Sequence, residues 1–114
     1  MIQYYDHQPN LYETIRSLGT LTTVIRLDVQ ETESGQWQCD EIEYSHREPL
    51  TRAKDRALLI AAIIRSKYTS DAMEAILNNY LLSPTDTESK EEFEAMQAWR
   101  KCAKELADEV LAGV

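Results

Sequence analysis

Residues 21–44, LTTVIRLDVQETESGQWQCDEIEY, decide the fold, because they alternate at a period of two while the sequence on both sides repeats at helical spacing. Leu21, Thr23, Ile25, Leu27 and Val29 alternate with Thr22, Arg26, Asp28 and Gln30, as a strand with one buried face requires. Val24 is the one strongly apolar residue on the wet side of that pattern. Glu33, Ser34 and Gly35 then supply turn chemistry, with Gly35 suited to the positive φ of a tight hairpin. In the second strand Trp37 and Cys39 share one parity and Ile42 and Tyr44 the other, so a regular strand puts one pair into water. Either a one-residue β-bulge near Asp40 or Glu41 brings both pairs to one face, or both faces of the hairpin are partly covered.

Upstream, Pro9 and Gly19 bracket NLYETIRSL, in which Leu11, Ile15 and Leu18 recur at helical spacing and Gly19 stands where a left-handed C-terminal cap would sit. Residues 1–19 are therefore expected to form an arm or short helix. Downstream, Pro49 ends the strand, Thr51 suits an N-cap, and Ala53, Ala57, Ile60 and Ile64 share a stripe until about Lys67. The run ALLIAAII (57–64) is apolar on every side, which predicts a helix covered from several directions at the centre of the fold. It is far shorter than the roughly 20 residues that cross a bilayer. Thr69 caps a second helix, Tyr68 and Met73 form its hydrophobic staple, and Met73, Ile76, Leu77, Tyr80 and Leu81 define its buried face. Ser83-Pro84 breaks that helix, and Thr85 with Glu88 fits a capping box for a last helix reaching about Ala112. Its apolar stripe is Phe93, Met96, Trp99, Cys102 or Ala103, Leu106 and Val110. The expected fold class is α+β: a short N-terminal helix, an antiparallel two-stranded β-hairpin over 20–46, and three helices over 50–112, in one domain.

With 114 residues, 43% hydrophobic and 28% charged, the chain has the size and composition of one globular domain. Its net charge of −8 opposes binding to bare nucleic acid or to anionic membrane through the overall field. No basic segment followed by an apolar run reads as a secretory signal, so the expectation is a cytoplasmic protein whose Cys39 and Cys102 are free thiols.

Constellations that carry chemistry are scarce. Cys39, Asp40, Glu41 and His46 hold metal-capable atoms, yet no CxxC, HxxxH or HExxH spacing gathers three or four ligands. A nucleophilic pair needs Cys39 or Cys102 to meet His7 or His46, and Cys102 sits on the inner side of an amphipathic helix, where a thiol fills space. The carboxylate pairs Glu41/Glu43 and Glu91/Glu92 lie in charged runs and read as solvated. Gly19, Gly35 and Gly113 are too scattered for a phosphate loop. The reading is therefore of no catalytic residue, cofactor or metal.

Two surfaces remain. Arg47, Arg52, Lys54, Arg56, Arg65 and Lys67 locally reverse the acidic field, which suits either a nucleic-acid contact or pairing with the acidic last helix. Trp37, Tyr80, Trp99 and Arg100 are the candidates for protein binding, since Trp, Tyr and Arg concentrate interface energy, although core packing claims most aromatics. An isolated hairpin is marginal in water, so a homo-oligomer is expected.

The stretches RSKYTSDAMEAI (65–76) and EFEAMQAWR (92–100), with the Trp37/Cys39 hairpin followed by Glu48-Pro49-Leu50, resemble a group of small uncharacterised proteins encoded in prophages of gut bacteria, some beside tail genes. The likeness covers roughly residues 20–110. More faintly, the last helix, with Trp99 followed by basic residues, is similar to the C-terminal helices of tail-fibre assembly chaperones. The resemblance implies a phage structural or assembly role, in the bacterial host or the phage particle, with no catalytic residue to carry over. The leading expectation is thus a non-enzymatic protein-binding or assembly factor; the alternative is a nucleic-acid-binding accessory protein using Arg47, Arg52, Lys54 and Arg56.

Overall fold

The computed structural model describes residues 2–114, which fall into two compact units: a strand unit that ends at Thr51 and takes in Val114, and a helical unit, Arg52–Gly113. The fold class is α+β, with a four-stranded antiparallel sheet and three helices.

In the strand unit, β1 (Ile2–Tyr5), β2 (Tyr12–Ser17), β3 (Thr20–Glu31) and β4 (Trp37–His46) lie in the order β1-β4-β3-β2. The expected β3–β4 hairpin is the central pair, closed where Thr32 N–H donates to the Gln36 carbonyl at 2.7 Å and Gly35 takes φ 86°. The sheet is nevertheless not two-stranded, because β1 pairs with the outer side of β4 and β2 with the outer side of β3.

The short N-terminal helix is corrected to β2. Tyr12–Ser17 pairs residue for residue with Thr20–Ile25, and the two-residue loop between them has Leu18 at φ 48° and Gly19 at φ 80°. Two successive left-handed residues are what a tight hairpin matched to the strand twist demands. Gly19 is left-handed as a cap glycine would be, but its geometry serves a turn. Three apolar residues over eight positions were too few to separate the two periods, and Tyr12, Thr14 and Ile15 are all strand formers.

A bulge does occur beside Asp40, but on the other strand. Leu27 faces Asp40 and Gln30 faces Gln38, so Asp28 and Val29 together oppose Cys39. Asp28 absorbs the extra residue at φ 52°, a conformation that a short polar side chain tolerates. β4 therefore keeps its regular alternation. Leu21, Thr23, Ile25 and Leu27 of β3 are buried on the face they share with Ile42. Val24, Arg26 and Cys39, of the opposite parity, are buried too, so neither Val24 nor Arg26 lies on a wet side.

The helical unit comprises α1 (Arg52–Arg65), α2 (Ser70–Leu82) and α3 (Thr87–Ala112). Thr69 caps α2, its hydroxyl accepting from Ala72 N–H at 3.1 Å. The cap of α3 is Asp86 in place of Thr85: its carboxylate accepts from Ser89 N–H at 3.0 Å, and that bond holds the carboxyl below the usual range. A negative group there also meets the positive end of the helix.

Helix α1 departs from expectation in its phase. Asp55, Leu59 and Ile63, one turn apart, are buried together with Ile64, whereas Ala53 and Ala57 are exposed and Leu58 is 56% exposed. A run that is apolar all round carries no phase, so its buried stripe could not be placed from periodicity, and α1 is not covered on every side. Helix α2 has no buried residue: Met73, Ile76 and Tyr80 are half-buried, and Leu77 and Leu81 are exposed. Helix α3 buries Met96, Ala103, Ala107, Val110 and Leu111.

Candidate functional site

The three helices enclose a cleft of about 330 Å³. Its floor is apolar, made by Ala61 and Ile64 of α1, Met73 and Leu77 of α2, and Met96 of α3. Its rim is charged, carrying Arg65, Glu74 and Arg100.

Local chemistry fixes this geometry. After α1 the chain turns sharply, with the Ile64 carbonyl accepting from Lys67 N–H at 3.2 Å and Tyr68 N–H at 3.0 Å, and the Ser66 hydroxyl donating to the Ile63 carbonyl at 2.6 Å. The Trp99 indole N–H of α3 also donates to the Ile64 carbonyl, at 3.4 Å, while the Lys67 ammonium lies 5.0 Å from the Trp99 ring centroid. Further along, Tyr80 stacks on Phe93 at 4.2 Å and 10°, seating α2 on α3. Four turns further along α3, Asp108 accepts from Arg56 at 2.7 and 3.2 Å and pairs with Arg52 at 2.9 Å. The Arg56 bond is the main cause holding the Asp108 carboxyl below its ordinary range.

The four residues singled out for protein binding separate accordingly. Arg100 stands on the cleft. Trp99 and Tyr80 brace the helices that form it, so their rings are occupied within the unit. Trp37 is half-buried on β4, opposite Tyr5 and Glu31 in the sheet register. Of the basic set, Arg47, Arg52 and Lys54 are exposed, and Asp108 engages Arg52 and the half-buried Arg56.

Sequence reasoning missed a charge cluster in the strand unit. Arg26 is only 6% exposed, and its guanidinium donates to Glu41 Oε2 at 2.9 Å, Glu13 Oε2 at 3.0 Å, the Asn10 carbonyl at 3.0 Å and the Tyr5 hydroxyl at 3.4 Å. The Tyr5 hydroxyl in turn donates to Glu41, and the Tyr5 ring lies under the guanidinium at 5.1 Å. Burial works against the Arg26 charge, yet the bonds to Glu13, Glu41 and Tyr5 leave its pKa raised; the bond to Glu41 raises that of Tyr5. This cluster ties all four strands together, and no spacing along the chain announces it, since its members meet only through the sheet topology.

A second polar chain runs from Thr14 to Thr23 at 2.9 Å and from Thr23 to His46 Nε2 at 2.8 Å, with His46 Nδ1 donating to the Glu48 carbonyl at 2.7 Å. A carbonyl only accepts, so a neutral His46 presents Nε2 as acceptor to Thr23. Thr23 is fully buried, which withholds its hydroxyl from any substrate and makes the chain a structural tie.

Cys39 and Cys102 are free, and burial pushes the Cys39 thiol up, away from the reactive thiolate. Among the described residues no three His, Cys, Asp or Glu side chains gather as a metal site, and no helix is long and apolar enough to cross a membrane. No protein-family model, curated protein or solved structure matches this chain.

Proposed function

We propose that the protein is a non-enzymatic protein-binding or assembly factor, with the α1–α3 cleft as its docking surface. The observation that carries this reading is the combination of an open apolar floor with exposed leucines beside it: Leu77 on the cleft, Leu81 one turn further along α2, and Leu58 one turn before Ala61 on α1. A side chain entering from another polypeptide buries this surface, and Arg65 and Arg100 at the rim supply the polar periphery typical of interfaces. A phage or prophage assembly setting, as the sequence resemblance implies, is where such a factor acts. Nucleic-acid binding through Arg47, Arg52, Lys54 and Arg56 has less support, because Asp108 engages two of the three guanidiniums, those of Arg52 and Arg56.

A photo-reactive amino acid introduced at Leu77 in bacteria tests this reading, with Glu33 in the β3–β4 turn as the control position. The expected result is a protease-sensitive adduct from the Leu77 position and none from Glu33. A nuclease-sensitive adduct, or none, contradicts it.

A further inference from the structure

We infer that two copies of the chain join edge to edge through β2, the strands running antiparallel about a two-fold axis at Thr14, so that the sheet of one copy continues into that of the other. The contact lies in the strand unit and leaves the helical cleft free.

Backbone chemistry selects the surface. β2 is the last strand in the order β1-β4-β3-β2, and its residues after Tyr12 are all exposed. Arg26 N–H donates to the Leu11 carbonyl at 2.8 Å, which sets the phase of the β2–β3 ladder. Leu11, Glu13, Ile15 and Ser17 turn their amides toward β3, and Tyr12, Thr14 and Arg16 turn theirs away. Among the described residues β3 is the one strand paired with β2, so those outward N–H and C=O groups have no strand partner. Donors and acceptors alternating at strand spacing are matched by another strand.

Side chains select the register. Opposed residues of an antiparallel pair share a face, so pairing centred on Thr14 sets Thr14 against its mate, Tyr12 against Arg16 of the second copy, and Glu13 against Ile15. Every outward amide is then used. Moving the axis to Ile15 would put Tyr12 opposite Leu18, whose left-handed backbone at φ 48° belongs to the turn. Moving it to Glu13 would put Glu13 against its mate and Arg16 against Asn10, whose carbonyl Arg26 already holds at 3.0 Å. With the axis at Thr14, the half-buried Tyr12 ring meets the Arg16 guanidinium of the other copy, once on each side of the axis. Arg16 holds no ion pair among the described residues, and it lines a cavity of about 410 Å³ with Leu21, His46 and Leu50 that gives the incoming ring an apolar wall.

The charges permit the contact. Glu13 is the one acidic residue of β2 and lies diagonally from its mate, on the face opposite to Arg16. Each Glu13 is paired with Arg26 of its own copy at 3.0 Å, so the edge carries no uncompensated acid although the chain carries −8. Ile15, 50% exposed, is covered by the same pairing. One patch serves both copies, and the contact closes at two.

Sedimentation velocity of the full chain, over a micromolar concentration series, provides the first test. Pairing of one strand buries an area in the small class of interfaces, below about 1,200 Å², so reversible association is read at micromolar protein. The mass should rise from 13.1 kDa toward twice that value. Arg16→Pro removes an outward N–H that the β2–β3 ladder does not use, and should hold the chain at one copy with little change in the thermal melt. Thr14→Cys places two thiols across the axis at about 5.5 Å between Cα atoms, within disulfide reach, so an added oxidant should link the copies; Ser17→Cys, far from its mate, should not link them. A wild-type chain that stays at one copy, or a Thr14→Cys chain that links no more than Ser17→Cys, overturns the inference. So does an Arg16→Pro chain that melts and associates as the wild type does; if that variant melts early, the cysteine pair decides. The Leu77 adduct tests the cleft separately, so either reading can fail alone.

Discussion

Arg26 carries its charge into a strand covered on both faces, and the fold compensates with two carboxylates, a carbonyl and a tyrosine ring and hydroxyl. Such a cluster resists loss of one member more than loss of the whole, because a stranded buried charge lacks both water and partner. Arg26→Met should lower stability in denaturant unfolding by about 3 kcal/mol, and adding Glu41→Leu to it should restore part of that loss. Strict additivity of the two changes would mean that Arg26 and Glu41 do not act as a unit. The alternation over residues 21–29 marked Arg26 as solvent-facing, since periodicity along one strand says which residues share a face but not what other strands bring to it. Glu41, Glu13 and Tyr5 come from three different strands, and only the β1-β4-β3-β2 order assembles them.

At the level of elements, the hairpin between β2 and β3 holds a local conflict. Leu18 adopts a left-handed backbone at φ 48° with its side chain fully exposed, so it carries the strain of that region without burying anything in return. Leu18→Asn places a residue that tolerates this conformation before Gly19 and should stabilise the protein by about 1 kcal/mol, read as a rise in Tm of several degrees. A fall in Tm would show that the turn is not of the left-handed pair type. The same turn explains why β2 hid behind a helical pattern: nothing in Leu18 advertises a hairpin as an Asn would. Elements with chemical punctuation were legible, namely the β3–β4 hairpin with Gly35 and α2 with Thr69 at its cap. For α3 the break at Pro84 left two capping residues in succession, and Asp86 won over Thr85 through its charge at the helix start. The run 57–64 of α1, apolar on every side, offered no phase, and so its exposed Leu58 was unreadable.

For the molecule as a whole, with a net charge of −8, the rim of the helical cleft carries both signs, Arg65 and Arg100 with Glu74, and the leucines around it are the largest apolar exposure on that unit. Of the candidate site, the sequence singled out Arg100 as a protein-binding candidate, and the structure places it on the cleft. Met73, Leu77 and Met96 read only as packing stripes, because whether three stripes meet fully or leave a gap depends on helix placement. Met73 and Met96 turn that gap into something observable. Their methyl groups, labelled with carbon-13 and assigned by Met→Leu substitution, report directly on the cleft floor. The account predicts that both resonances shift in concentrated bacterial extract. Resonances that stay fixed there would contradict a cleft that docks protein.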